Sequence, residues 1–440
     1  MLQMVGAVRE GSRESSPSAD MTTPKRLANR YQQCLENMWL DICEIKAKYS
    51  EVDVGVGLPD YPPSEYIQRT LSDVALEGNE YLQYTRDQGH LRLVKAIAAL
   101  HGPLLGRDID PMTEVIVTHG AYESLHTAFL SLVNPGDEVI LIEPFFDVYK
   151  SMTKLVEGTP VYVPLRPSVE SPTSSADWAL DPQELESKFS AKTKLLILNN
   201  PNNPIGKVFK REELEVLAAL CIKHDVICIS DEVYEWLVYP GAEHVRIATL
   251  PGMWERTITI SSASKSFSVT GWRVGWSVGP KDLIDCQMIA HQNGDATCGT
   301  PVQEAIARCI ELELSRIDQP DCHFTQQRDD LLAKRDRLVE MAREVGFKVC
   351  VPEGSYFLMV DWTAFATKEM IDNGTDATSD FQFAIWLLKN HHIATIPPSA
   401  FCEENKHLVG NYVRLCCFKT DELLNKIKTY FASLKPLEDV

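Results

Sequence analysis

The chain of 440 residues is short of positive charge: 43 Lys and Arg stand against 62 Asp and Glu, a formal net charge of −19. A surface of that sign repels nucleic acid and anionic lipid at long range, so neither is an expected partner. No stretch of 18 or more apolar residues occurs, which argues against a membrane-spanning helix. No two of the twelve cysteines are spaced C-x-x-C and no histidine cluster stands beside them at ligand spacing. Neither a metal site nor a disulfide framework is therefore expected. Cysteines such as Cys228 in VICIS and Cys416 in YVRLCCF sit in apolar runs, where a free thiol acts as a small buried hydrophobe. A reducing compartment follows, the cytoplasm first and the mitochondrion as the alternative. Residues 1–20 mix Arg9 and Arg13 with Glu10, Glu14 and Asp20 and lack the apolar centre of a secretory signal. Residues 1–23 read as a disordered tail, with an organelle-targeting role and a start at Met21 as the other reading.

What is present is ordinary globular composition, 44% hydrophobic and 24% charged, without internal repeats. From Pro24 to about Tyr49 apolar residues Leu27, Tyr31, Leu35, Met38, Ile42 and Ile45 recur at helical steps, and the pattern breaks at GVGLPDYPPS. Beyond residue 112, apolar runs alternate with helical windows: 115–118, 137–143, 159–165, 194–199, 226–230 and 256–261. Continuous apolar strands separated by helices predict a mostly parallel sheet covered on both faces. After a charged helical stretch at 323–345, the runs 355–361, 394–396 and 412–418 predict a smaller α+β unit. The expected division is an N-terminal arm over 24–60 that joins the small unit, a large domain over 61–320, and a small domain over 321–440.

Ligands of open parallel sheets sit beyond the carboxyl ends of the strands, so the residues that follow each strand carry the functional reading. After KLLIL comes NNPNNPIG, whose prolines fix the orientation of Asn199 and Asn203. A purely structural turn reads the same way. After VICIS come Asp231 and Tyr234 in DEVYEW. An acid at a buried strand end wants a cationic partner, although a helix N-cap would account for it equally well. After RTITI comes SSASKSFSVTGWRVGW, where Lys265 stands among small hydroxyl residues and Ser262, Ser264 and Arg273 are suited to holding a phosphate. Gly120 and Ala121 in VIVTHGAYESL let backbone N–H groups at a helix start approach an anion. Together these residues suit an aldehyde cofactor with a phosphate handle and a basic ring nitrogen.

The motifs NNPNNPIGKVF, SDEVYEW, SSASKSFSVTGWRVGW, LPGMWERTITI and IEPFFDVY resemble those of fold-type I pyridoxal-phosphate aminotransferases. Within them the chain is similar to the group of kynurenine aminotransferases, glutamine transaminase K and cysteine-S-conjugate β-lyases, from about Pro24 onward. The resemblance implies an α/β fold with a mostly parallel seven-stranded sheet in the large domain. It implies pyridoxal 5'-phosphate as cofactor and Lys265 as its Schiff-base lysine. Asp231 is implied as partner of the ring nitrogen, Tyr234 and Asn203 as donors to the ring oxygen, and Phe146 as the stacking aromatic. Ala121, Tyr122, Ser262 and Arg273 match the phosphate site. Arg414 matches the arginine that takes the substrate α-carboxylate. Gly57, Trp39 and Tyr84 match the side-chain pocket, with Tyr84 arriving from the neighbouring subunit of a homodimer. Ala296 and Thr297 depart from one branch of the family, where an aromatic and a His stand, and Arg273 replaces the Lys of some relatives.

The implied reaction moves the amino group of kynurenine, glutamine, aromatic or sulfur amino acids to a 2-oxo acid. β-Elimination from cysteine S-conjugates is the rival within the fold, and a catalytically silent ligand-sensing protein is the rival outside enzymology. Selectivity is expected from Trp39, Tyr84, Phe146 and Leu58. The stretch 282–300 contains no Lys or Arg, so a distal carboxylate is expected to find no partner there.

Overall fold

The computed structural model describes residues 27–32, 38–372, 374 and 376–437. The expected tail over 1–23 and the middle of the expected arm helix lie outside them. The arm enters as helices Asn29–Gln32 and Met38–Tyr49.

Seven strands form the central sheet. In chain order they are β1 (Val115–Thr118), β2 (Glu138–Glu143), β3 (Thr159–Pro164), β4 (Thr193–Asn199), β5 (Ile227–Asp231), β6 (Thr257–Ser262) and β7 (Gly275–Val278). Across the sheet the order is β1-β7-β6-β5-β4-β2-β3. Six of these strands are the apolar runs read from the sequence, shifted by a residue or so. The seventh was implied by the resemblance alone, because GWSV is short and lies within the motif read for Lys265 and Arg273.

Topology follows from how each strand is reached. Helix Arg211–His224 crosses over between β4 and β5, which pair in parallel from Leu195↔Ile227 to Asn199↔Asp231. A crossover of that kind is what a parallel pair demands. Between β6 and β7 the chain makes a four-residue helix, Ala263–Ser266, and one 3-10 turn, Thr270–Trp272, too short for a crossover. It therefore returns antiparallel, with Gly275 opposite Ser262. The consequence is that Thr118, Asn199, Asp231 and Ser262 all end on one edge of the sheet. The middle strands are buried along nearly their whole length, their Ile and Leu residues interspersed with Thr, Cys and Ser.

A second, antiparallel sheet orders Lys348–Cys350, Phe357–Asp361 and Tyr412–Cys416, with the middle strand central. The run 394–396 becomes a two-residue strand, Ile393–Ala394, which pairs in parallel with Val52–Asp53 of the arm. One apolar cluster joins the two sheets: Val233, Tyr234, Leu237 and Tyr239, just after β5, are buried with Tyr356, Phe357, Leu415 and Phe418. Tyr239 donates its hydroxyl hydrogen to the Ser355 carbonyl at 2.6 Å. No helix among the described residues is long and apolar enough to cross a membrane.

Candidate functional site

The strand edge opens into a cavity of ≈ 370 Å³ that reaches from the start of helix Ala121–Leu132 to the arm. Its wall includes Ala121, Tyr122, Phe146, Asn203, Asp231, Tyr234, Ser262, Lys265, Arg273, Gly57 and Arg414. All the positions singled out for the cofactor thus meet in one place. The pocket positions are divided. Gly57 is present, whereas Leu58 is exposed and Tyr84 is 93% exposed, neither lining the cavity of its own chain. The side chain of Trp39 lies outside the described residues, although Ile42, Cys43 and Lys46 of the same helix line the wall.

Asp231 ends β5 and is buried. Its carboxylate accepts from the Tyr149 hydroxyl at 2.5 Å and from the Val233 N–H at 3.3 Å, both neutral donors. Burial raises its pKa to about 6 despite those bonds. Such a carboxylate is poised to accept a proton or to pair with a cation arriving from the cavity. Tyr149 was not singled out from the sequence. The signal was its place in IEPFFDVY, where Phe146 drew attention first.

Lys265 lies in the short helix after β6, whose first residue is capped by the Ser262 hydroxyl accepting from the Ser264 N–H at 3.1 Å. Its Nζ donates weakly to the Gly57 carbonyl at 3.5 Å. The ring centroids of Tyr356 and Tyr234 lie 5.5 and 5.9 Å from it. Burial lowers its pKa to about 8, helped by the charges of Arg414 and Arg273. A lysine in that state is neutral often enough to act as a nucleophile or base. Burial moves the Tyr234 phenol upward, so it stays a donor.

The anion end is built from backbone. Gly120 caps helix Ala121–Leu132 at φ +77° and brings no side chain over the first N–H groups. A Cβ on Gly120 would come within 2.6 Å of the Arg273 guanidinium, and one on Gly275 within 2.4 Å of the Ala121 nitrogen. Glycine at both positions keeps this concavity open. Ser262 donates its hydroxyl hydrogen to the Val274 carbonyl at 3.0 Å, while the buried Ser264 Oγ has no partner. An orphaned hydroxyl beside a guanidinium and a helix N-terminus suits an anion.

At the opposite end Arg414 is buried. It donates to Asn203 Oδ1 and to the Gly55 carbonyl, each at 2.8 Å. Phe357 and Phe401 sit 4.0 and 4.9 Å from its guanidinium carbon, and its Nε is unpaired. Burial lowers its pKa, yet it remains a cation with donors left for a carboxylate. Asn203 is held in turn by Asn199, whose side-chain oxygen accepts from the Asn203 N–H at 2.7 Å. An aldehyde carbon, a basic ring nitrogen, an anion handle and a substrate carboxylate would each find a matching group here.

Two features were not anticipated. The stretch 282–300 contributes nothing to the wall of this chain's cavity, and the cation at the arm end is Lys46, ion-paired with Asp53. Lys46 was not singled out from the sequence. The other feature is that ligand atoms of His119, Glu123 and Cys298 lie within 4.8 Å of one another. Glu123 already accepts from His291 at 2.5 Å and from the His119 N–H.

Residues 50–428 match the family described as aminotransferase class I and II. The chain is 47% identical over 413 residues to kynurenine–oxoglutarate transaminase 3 of Bos taurus, covering 93% of this chain and 90% of that protein. It is 43% identical over 414 residues to kynurenine–oxoglutarate transaminase 1 of Mus musculus, covering 93% and 97%. The crystal structure of Bna3p from Saccharomyces cerevisiae superimposes with a TM-score of 0.87 at 31% identity, covering 92% of this chain and 98% of that one.

Proposed function

The chain belongs to the class I and II aminotransferases, enzymes that generally depend on pyridoxal phosphate, and from that premise we propose its substrates and the role of each residue. The donors are kynurenine, glutamine, and aromatic or sulfur-containing amino acids, and the acceptor is a 2-oxo acid. The transaminases of cattle and mouse, 47% and 43% identical, support this choice. So does a wall with one unmasked carboxylate anchor, Arg414. The proposal extends to a homodimer, to the division at 24–60, 61–320 and 321–440, and to a reducing compartment.

Pyridoxal phosphate, when bound, supplies an electron sink for negative charge at the substrate Cα. Lys265 would hold it covalently at rest. Asp231, steadied by Tyr149, would keep a proton on the ring nitrogen, and Tyr234 with Asn203 would donate to the ring oxygen. Ala121, Tyr122, Ser262, Ser264 and Arg273 would take the phosphate, and Phe146 would cover the ring. Arg414 grips the α-carboxylate and fixes the orientation of the Cα–H bond. Lys265, neutral above about pH 8, would be the base that takes the proton from the substrate Cα and holds it on Nζ for return. Elimination from cysteine S-conjugates shares that proton removal and is proposed as a side activity.

The observation that carries the reading is that Lys265, a buried Asp231 hydrogen-bonded only to neutral donors, and an arginine pinned by Asn203 and Gly55 line one cavity. The test is a half-reaction screen of the holoprotein, following bleaching of its visible band. Kynurenine and glutamine should bleach it at least about a hundredfold more efficiently than aspartate, about 2.8 kcal/mol of discrimination. Aspartate equal to the best of the others would overturn the substrate class.

A further inference from the structure

Among the described residues four cations line the cavity: Lys265, Arg273, Arg414 and Lys46. The proposed reaction employs three of them and leaves Lys46 without a task. We propose that the Lys46–Asp53 ion pair is the charge filter for substrate side chains, a cation masked by a fixed anion that favours neutral side chains over those ending in a carboxylate.

Asp53 is immobilised as a mask should be. Its Oδ1 accepts from the Gly55 and Val56 N–H groups at 3.0 and 3.2 Å, and its backbone pairs with Ala394. Lys46 reaches the other oxygen, Oδ2, from helix Met38–Tyr49. The two side chains are 23% and 27% exposed, so the pair is largely withdrawn from water while still facing the cavity. Burial works to raise the Asp53 pKa, but Lys46, the charge of Lys419 and the Val56 N–H together outweigh it and keep the carboxyl below its ordinary value. The other charges near this end are Arg414; Lys419, whose charge also reaches Asp53; and Glu51, which accepts from the Tyr430 hydroxyl. Lys419 donates to the Val56 and Leu58 carbonyls at 3.0 Å each, and Arg414 to Asn203 and Gly55. The neighbours Ile42, Cys43 and Val56 carry no charge to help a second carboxylate. An incoming distal carboxylate feels Lys46 and Asp53 together, and the attraction of one is offset by repulsion from the other. A neutral amide or aromatic ring feels neither strongly.

The inference rests on this cavity being the amino-acid site. It is tested in the holoenzyme by single-turnover reaction with glutamate and glutamine, which are nearly isosteric and differ in distal charge. Asp53→Asn keeps an acceptor for the two N–H groups and unmasks Lys46. The glutamate-to-glutamine ratio of efficiencies should rise about tenfold, carried by the apparent dissociation constant rather than by the limiting rate. Lys46→Gln leaves Asp53 unpaired, and the ratio should fall about tenfold. The double variant should return to within about threefold of the starting ratio. Single variants that change both substrates alike, or a double variant that fails to return, would overturn the filter. If the unaltered holoenzyme processes neither amino acid, the substrate reading fails instead, and the two failures are distinguishable.

Discussion

At pH 8 an ionised Asp231 lies in the core hydrogen-bonded to neutral donors alone, and the charge of Lys265 offsets its burial only in part. Its folded pKa of about 6 stands above the ordinary value of 3.8 for an exposed Asp, so the folded state binds the extra proton between those values. Stability from that proton is present below about pH 4 and is lost as pH rises through 6. In cofactor-free protein, Asp231→Asn should therefore melt higher than the parent at pH 8, on the order of 1–3 kcal/mol, with the gap closing toward pH 4. Transamination by the same variant should fall at least about a hundredfold, because a neutral amide cannot hold the ring-nitrogen proton. A lower melting temperature at pH 8 would contradict the assignment. Tyr149→Phe removes a bond that favours the ionised form, so the acidic limb of the rate profile should move up, with turnover down about tenfold. Lys265→Ala should keep the fold by circular dichroism and lose turnover. Borohydride reduction and peptide mapping of the parent protein should find the pyridoxyl group on Lys265, and on any other lysine the mechanism is wrong. The sequence exposed Lys265 and Asp231 because each directly follows a buried apolar strand. It hid Tyr149 and Lys46, because neither a phenol at the second position of helix Val148–Leu155 nor a lysine on an arm shows its partner until distant segments meet.

Elements tell a similar story at a coarser grain. The runs located β1 to β6 because a strand buried on both faces is rich in β-branched and aliphatic residues, with few charges before its end. β7 lacks that mark: Gly275 and Ser277 occupy half of it, and Trp276 is satisfied by donating to His101 at 3.0 Å, a contact no linear pattern reveals. The three-residue strand Lys348–Cys350 is too short to show a period. Gly275 nonetheless controls the anion end, since it lets β7 pass beneath the start of helix Ala121–Leu132. Gly275→Ala must push that helix start outward. Cofactor affinity, titrated by absorbance into apoprotein, should weaken at least about tenfold while the protein stays folded. Unchanged affinity would show that the helix start does not touch the phosphate.

Across the whole molecule, Tyr84 poses the question that a single chain leaves open. It is 93% exposed, and Leu82 just before it and Ile289 are 53% and 64% exposed. An aromatic that the proposed reaction needs but the chain's own cavity omits fits a site completed by a second copy. Sedimentation should give a dimer at assay concentrations, and Tyr84→Ala should weaken amino-acid binding while the dimer persists. An active monomer would refute this arrangement. The apolar cluster that seats Tyr234 among Tyr356, Phe357 and Phe418 reaches further still. Because the residues after β5 and the second sheet share one core, neither can lose its packing without stripping the other. Scanning calorimetry of the apoprotein should record one cooperative endotherm, with calorimetric and van't Hoff enthalpies in agreement per folding unit. The site is then as durable as the entire chain, with no early thaw of its own.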